Sequence, residues 1–332
     1  MGREQRGGRR REAGLDVTRI CNDREIMDIF LQQILNGLLL GSIYALVALG
    51  YTMVYGILGL INFAHGDIVM VGALVALSVV MGLGASLPAM VILLLATAAA
   101  IAVCVALGLV VERAAYRPLR RAPRLAPLIT AIGVSILIQY SAALVWGKQY
   151  ISLPEIVKPG KIEFGGAQIT TTQAFIFVLA CAIMAALLWF VKASRMGRAM
   201  RATEQNPDVA GLMGVDTTRV IAFTFALGAS IGAIAGVMVV LYYGQGHYFM
   251  GFMLGLKAFT AAVLGGIGSI PGAMLGGLLL GLIESLAAGY MGDITGGVFG
   301  SNYRDVYAFF VLVGVLMLRP SGLMGVGSGD RA

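Results

Sequence analysis

The chain is 332 residues long, 58% hydrophobic and only 12% charged, where an average soluble domain carries roughly 25% charged residues. That leaves too few polar groups to cover a water-facing surface and excludes a soluble globular protein. The net charge of +7 does not mark a nucleic-acid binder, because the basic residues gather at 3–24, 113–124 and 192–219, beside apolar blocks, as cytoplasmic loops do.

Apolar blocks recur at the roughly 20 residues needed to cross a bilayer. Only helices or closed barrels can span lipid, because every backbone polar group there needs an internal partner. Period-two alternation is missing, so the fold expected is all-α and polytopic, with about eight to ten membrane segments.

Residues 1–26 are arginine-rich and lack an apolar core, so they read as a disordered basic extension and not a signal peptide. Met27 stands directly before the first apolar block, and a start there instead of Met1 stays open. A membrane domain over 27–325 and a tail over 326–332 follow. The first span runs from about Ile29 to Gly50, with its basic flank placing the N-terminus inside. A second block, Leu87 to Val111, ends at a basic loop that also belongs inside, so an even number of crossings must lie between Gly50 and Pro88. Two short segments meeting near Gly59 to Gly66, a broken or re-entrant pair, satisfy that parity.

Spans over Leu125–Trp146, Gln173–Val191 and Val220–Tyr243 follow, with the 147–172 loop outside and the 192–219 loop inside. Gly228, Gly232 and Gly236 recur every four residues in the last of these, a stripe that lets helices approach closely. The second half repeats the layout of the first, with short apolar pieces broken at Gly265, Gly266, Gly268 and Gly272 and a final span from Val306 to Leu318. An offset of 206 matches Gly59 with Gly265 and Gly66 with Gly272. Both halves point the same way, which predicts a parallel pseudo-two-fold repeat.

Signatures of catalysis are missing. The near-match to a phosphate loop at Gly251 to Lys257 lacks the hydroxyl residue, since Ala258 stands there. Two histidines and three cysteines without metal spacing make neither a metal site nor a disulfide framework, and no cofactor is expected.

Asn62, His65 and Asp67 are the leading polar cluster, and Asp67 is the one formally charged residue between Ile29 and Val111. A charge in hydrocarbon costs several kcal/mol unless it faces other helices or water. Two readings stay open. The cluster lines or gates a polar pathway, or Asp67 caps the helix that starts there while His65 satisfies loose backbone groups. Lys257 reads as snorkelling to the interface and Glu284 as a helix-end carboxylate paired with a neighbouring helix. Tyr44, Tyr51 and Tyr55 share a face suited to anchoring or packing.

In the 192–219 loop, Arg198 and Arg201 precede Glu204, and Asn206-Pro207 breaks the helix with Pro207 and Asp208 placed for the first turn of a new one. Val209, Leu212 and Met213 give that helix an apolar edge. The edge suits either the membrane surface or a groove on a cytoplasmic partner.

The stretches Gly37 to Gly56 and Ile61 to Asp67, with Glu112 to Arg120, Gly197 to Asp216, Lys257 to Gly276 and Arg319 to Gly325, resemble the permease subunit of branched-chain amino-acid ABC transporters. The resemblance covers about Met27 to Gly325 and leaves 1–26 outside. It implies a bacterial inner-membrane subunit that pairs with a second permease and two cytoplasmic ATPases and receives substrate from a periplasmic binding protein. It also implies that residues around Glu204, Asn206, Gly211 and Gly214 form the segment that docks into an ATPase. Leucine, isoleucine and valine are the implied substrates, with urea, short amides or other amino acids as the alternative within the family. A self-sufficient transporter or channel is the rival from outside it.

Overall fold

The computed structural model describes residues 4–84, 86–120, 122–123, 125–154, 160–164, 166–298, 300–319 and 321–325, with side chains from Met27 onward except at 164, 293 and 301. Helices dominate: α1 (Glu4–Leu58), α2 (His65–Leu83), α3 (Ala89–Val111), α4 (Leu125–Trp146) and α5 (Thr171–Ala193). Two short helices, α6 (Arg195–Gln205) and α7 (Pro207–Leu212), precede α8 (Thr217–Tyr243), α9 (Met250–Gly265), α10 (Ile270–Ile294) and α11 (Arg304–Leu318). Seven are long and apolar enough to cross a membrane, α1 counting from Met27. With the shorter α9 and α11, of 16 and 15 residues, the segments agree with the number expected. The expected boundary at Met27 falls inside α1, and the expected tail at 326–332 lies outside the described residues.

The connections sort to two ends of the bundle. At one end β1 (Ile151–Ser152) pairs antiparallel with β4 (Gln245–Gly246), and β2 (Lys161–Phe164) pairs with β3 (Ala167–Thr170). At the other end lie α6, α7 and the turn 112–120, where Arg120 donates to Thr218 at the start of α8. α1 connects the two: Gln32, near the start of its membrane span at Met27, exchanges hydrogen bonds with Gln168 of β3, at 3.1 and 2.8 Å. Near its finish, a Cβ on Gly56 would lie 3.2 Å from Glu204 Oε1 of α6.

The Met27 end of the first span and the two later basic loops lie at opposite ends of the bundle, where the expected parity put them at one end, because α1 does not stop near Gly50 but continues to Leu58, and α2 alone makes the return crossing. The first pair is therefore a full-length helix followed by a second span, not two short segments. Its turn does fall where the glycines place it: Gly59 has φ +63°, a left-handed conformation that costs glycine nothing. The second break, between α9 and α10, is turned by Gly266 at φ +108°. α1 and α9 run toward the basic end, and α2 and α10 run away from it.

Close helix contacts explain the glycine content. A Cβ on Gly281 of α10 would fall 2.3 Å from the Gly41 Cα of α1, and one on Gly277 would fall 2.4 Å from the Ala45 Cα. Gly236 of α8 approaches α2 so closely that its Cβ would lie 2.3 Å from the Val69 carbonyl. Gly232 faces His65 and Val69, and Gly228 faces Gly50. Without a hydrophobic force between helices in lipid, such backbone proximity is what holds them together.

Candidate functional site

Two buried polar clusters stand out. The first is built on the α1–α2 turn. Asn62 Oδ1 accepts from the Ala64 N–H (3.2 Å), a local Asx turn, and from the Tyr116 hydroxyl (2.9 Å), which tethers the turn to the 112–120 segment that follows α3. His65 is buried against the α1 backbone around Gly50, its ring 5.0 Å from that of Tyr51. Asn62 Nδ2 and His65 Nε2 make no hydrogen bond among the described residues.

Asp67 does not cap α2, which has Ala64 at its N-cap and no side-chain cap bond. Instead its carboxylate reaches across to α4, accepting from Gln139 Nε2 at 3.0 Å and from the Ser135 hydroxyl. Eleven residues farther along both helices, Trp146 Nε1 donates to Ser78 Oγ at 2.6 Å, so α2 and α4 run parallel in matched register. Asp67 thus links two helices through neutral donors, and the turn brings Asn62, His65 and Asp67 close in sequence but gives each a different partner. Gly66 lies against α9, where its Cβ would fall 2.4 Å from the Gly251 carbonyl.

The second cluster joins α1, α9, α10 and α11. Lys257 Nζ lies 2.8 Å from Glu284 Oε1, 3.1 Å from the Tyr44 hydroxyl and 2.6 Å from Asp305 Oδ1. The Tyr44 hydroxyl donates to Glu284 Oε2 at 2.9 Å, closing a buried triangle. Arg304 Nε stands 3.7 Å from Glu284 Oε1, completing two cations and two anions. Lys257 is therefore buried instead of snorkelling, and Glu284 pairs with a neighbouring helix as expected but from the middle of α10, not from its end. Lys257, Tyr44, Arg304 and Asp305 line a cavity of about 300 Å³ near β4.

At the basic end, the loop helices are tightly made. Asn206 Oδ1 accepts from the N–H groups of Asp208 (3.0 Å) and Val209 (3.1 Å), with Pro207 in the first turn of α7. Arg198 and Arg201 donate to the carbonyls of Ala193 and Val191, pinning α6 to the end of α5. Gly211 lies within α7, and Gly214, at φ +86°, turns the chain toward α8. Val209, Leu212 and Met213 are left exposed, Leu212 at 87%. Glu204 faces both helix breaks, since Cβ atoms on Gly56 and Gly268 would lie 3.2 and 3.9 Å from its Oε1. Gly265 and Gly272 meet face to face where α9 and α10 cross, with a Cβ on Gly265 falling 1.9 Å from the Gly272 carbonyl.

Residues 33–318 match the family model described as branched-chain amino acid transport system / permease component. The chain belongs to this family. It is 46% identical over 307 residues to the high-affinity branched-chain amino acid transport system permease protein LivH of Salmonella typhimurium, covering 89% of this chain and 96% of the relative. Similarity to LivH of Escherichia coli is equal in extent, at 46% over 306 residues. The permease protein BraD of Pseudomonas aeruginosa is 47% identical over 306 residues, again with 89% and 96% coverage. Membership agrees with a polytopic all-α permease without enzymatic signatures.

Sequence reasoning missed Ser135 and Gln139 as partners of Asp67, and Arg304 and Asp305 as partners of Lys257. The first pair left a signal: two polar residues four apart in an otherwise apolar helix share a face. The second pair directly precedes the last span, and nothing in the sequence ties it to Lys257.

Proposed function

We propose that the chain is the permease subunit of an ATP-driven importer that passes leucine, isoleucine and valine across the bacterial inner membrane. The observation that carries this reading is the 46–47% identity to branched-chain amino acid permeases along almost their whole length. The end bearing α6 and α7 faces the cytoplasm, in keeping with its basic loops, and the Met27 end of the first span faces outside. The exposed edge Val209, Leu212 and Met213 docks into a groove on an ATPase subunit, in the manner of an amphipathic helix in a groove. A second permease subunit and a periplasmic binding protein complete the assembly, and the binding protein selects the substrate. The Asn62-to-Asp67 turn holds α1, α2, α3 and α4 in register beside the pathway.

Reconstitution into proteoliposomes tests this. Leucine uptake is expected only when ATP, the ATPases, the partner permease and the binding protein are all present. Uptake by this chain alone without ATP makes it a self-sufficient transporter, and uptake of urea or an amide in place of leucine reassigns the substrate.

A further inference from the structure

From the cavity between α8, α9 and α11 we infer that this permease carries its own site for a zwitterionic α-amino acid, with Arg304 taking the carboxylate and Asp305 the ammonium. The inference rests on the importer reading and adds a binding step within the membrane subunit.

The four charges near this cavity are not equivalent. Lys257 and Glu284 are already engaged with each other: each is buried, and each also bonds the Tyr44 hydroxyl. Arg304 and Asp305 are only half engaged. Among the described residues, the guanidinium, 48% exposed at its side chain, has its one ion-pair contact at 3.7 Å through Nε, although it carries five N–H donors. Asp305, 34% exposed, contacts Lys257 through Oδ1 at 2.6 Å without hydrogen-bond alignment. Adjacent residues of opposite charge therefore present unused donors and acceptors to one cavity.

Its other walls combine an apolar stretch where a branched side chain would sit, Val239, Met250, Met253 and Leu254, with the polar residues Tyr150, Tyr243, Gln245 and His247. The methionines can repack around leucine, isoleucine or valine, being unbranched and polarisable. At about 300 Å³, the cavity lies at the small end of the roughly 300–1,000 Å³ of ligand sites, suited to one amino acid. The inner Lys257–Glu284–Tyr44 triangle holds the outer pair in place, with Lys257 fixing Asp305 and Glu284 facing Arg304.

Competition against radiolabelled leucine tests the site, using the solubilised complex of this chain with its permease partner and ATPases but without the binding protein. The competitors are leucine, its des-amino analogue 4-methylpentanoate and its decarboxylated analogue 3-methylbutylamine. Unlabelled leucine is expected to outcompete both analogues by at least about tenfold. Asp305→Asn should weaken leucine about tenfold and bring it level with 4-methylpentanoate. Arg304→Gln should weaken it similarly and bring it level with 3-methylbutylamine. Met253→Trp, which fills the cavity without touching a charge, should abolish binding while the melting temperature stays near that of the unsubstituted complex.

A complex that binds no leucine at millimolar concentration overturns the site, as do charge variants that leave the analogue preference unchanged, or a Met253→Trp complex that binds normally. If ATP-dependent leucine uptake persists in the complete system despite such a result, the importer reading stands and this site alone falls. No uptake in the complete system defeats the reading itself.

Discussion

Asp67 and Glu284 are both carboxylates with 1% exposure, yet the chain answers them in different ways. Asp67 is met by a serine hydroxyl and a glutamine amide from one neighbouring helix. Glu284 is met by a lysine, a tyrosine and, at longer range, an arginine, from three other helices. Asp67, Ser135 and Gln139 lie away from the cavity that Lys257 and Asp305 line. The second opens onto about 300 Å³. A buried charge therefore does not by itself mark a pathway; what separates the two carboxylates is the open space beside the second, lined by the charged pair Arg304 and Asp305.

The largest test of that difference removes charge from the second site. Lys257→Met strands Glu284, and losing one partner of a buried ion pair costs about 3–5 kcal/mol. Thermal unfolding in detergent should show the double variant Lys257→Met/Glu284→Leu to be more stable than the single one. Equal loss in both would mean that the triangle is not a charge-balanced unit.

A smaller effect is expected from Gly281→Val. Its side chain would push α10 off α1 at Gly41 and stretch the Tyr44–Glu284 bond, at about 1–3 kcal/mol for overpacking. Asp67→Asn should cost only about 1 kcal/mol, because the amide still accepts one of the two hydrogen bonds. A loss as large as that of Lys257→Met would erase the contrast between the sites. Leu212→Ser, on the exposed edge of α7, should change stability by less than about 0.5 kcal/mol while reducing co-purification of the ATPase.

Much of the architecture was legible in the chain. Glycines and polar residues located both helix breaks, and Asn206-Pro207 located the cap between α6 and α7. The end of α1 was not legible, because Tyr51 to Leu58 is as apolar and helix-compatible as the residues before it, and nothing local distinguishes continuation from a stop. That single ambiguity put the start of the first span at the same end as the later basic loops, since the count of crossings depends on it. The Lys257 cluster was hidden for another reason: its members lie at 44, 257, 284, 304 and 305, and only the packing of α1, α9, α10 and α11 brings them together. Burial then decides whether a lysine at a helix position snorkels or pairs, and burial is a property of the bundle.

The most direct measurement compares two substitutions that each convert one carboxylate to its amide. ATP-dependent leucine uptake is measured in proteoliposomes holding the complete transporter, at equal abundance of Asp305→Asn and Asp67→Asn. Asp305→Asn is expected to raise the leucine concentration needed for half-maximal binding to the permease complex and to slow uptake at least about tenfold, whereas Asp67→Asn should stay within about threefold of the unsubstituted protein. The reverse order, with Asp67 decisive and Asp305 dispensable, would contradict the account.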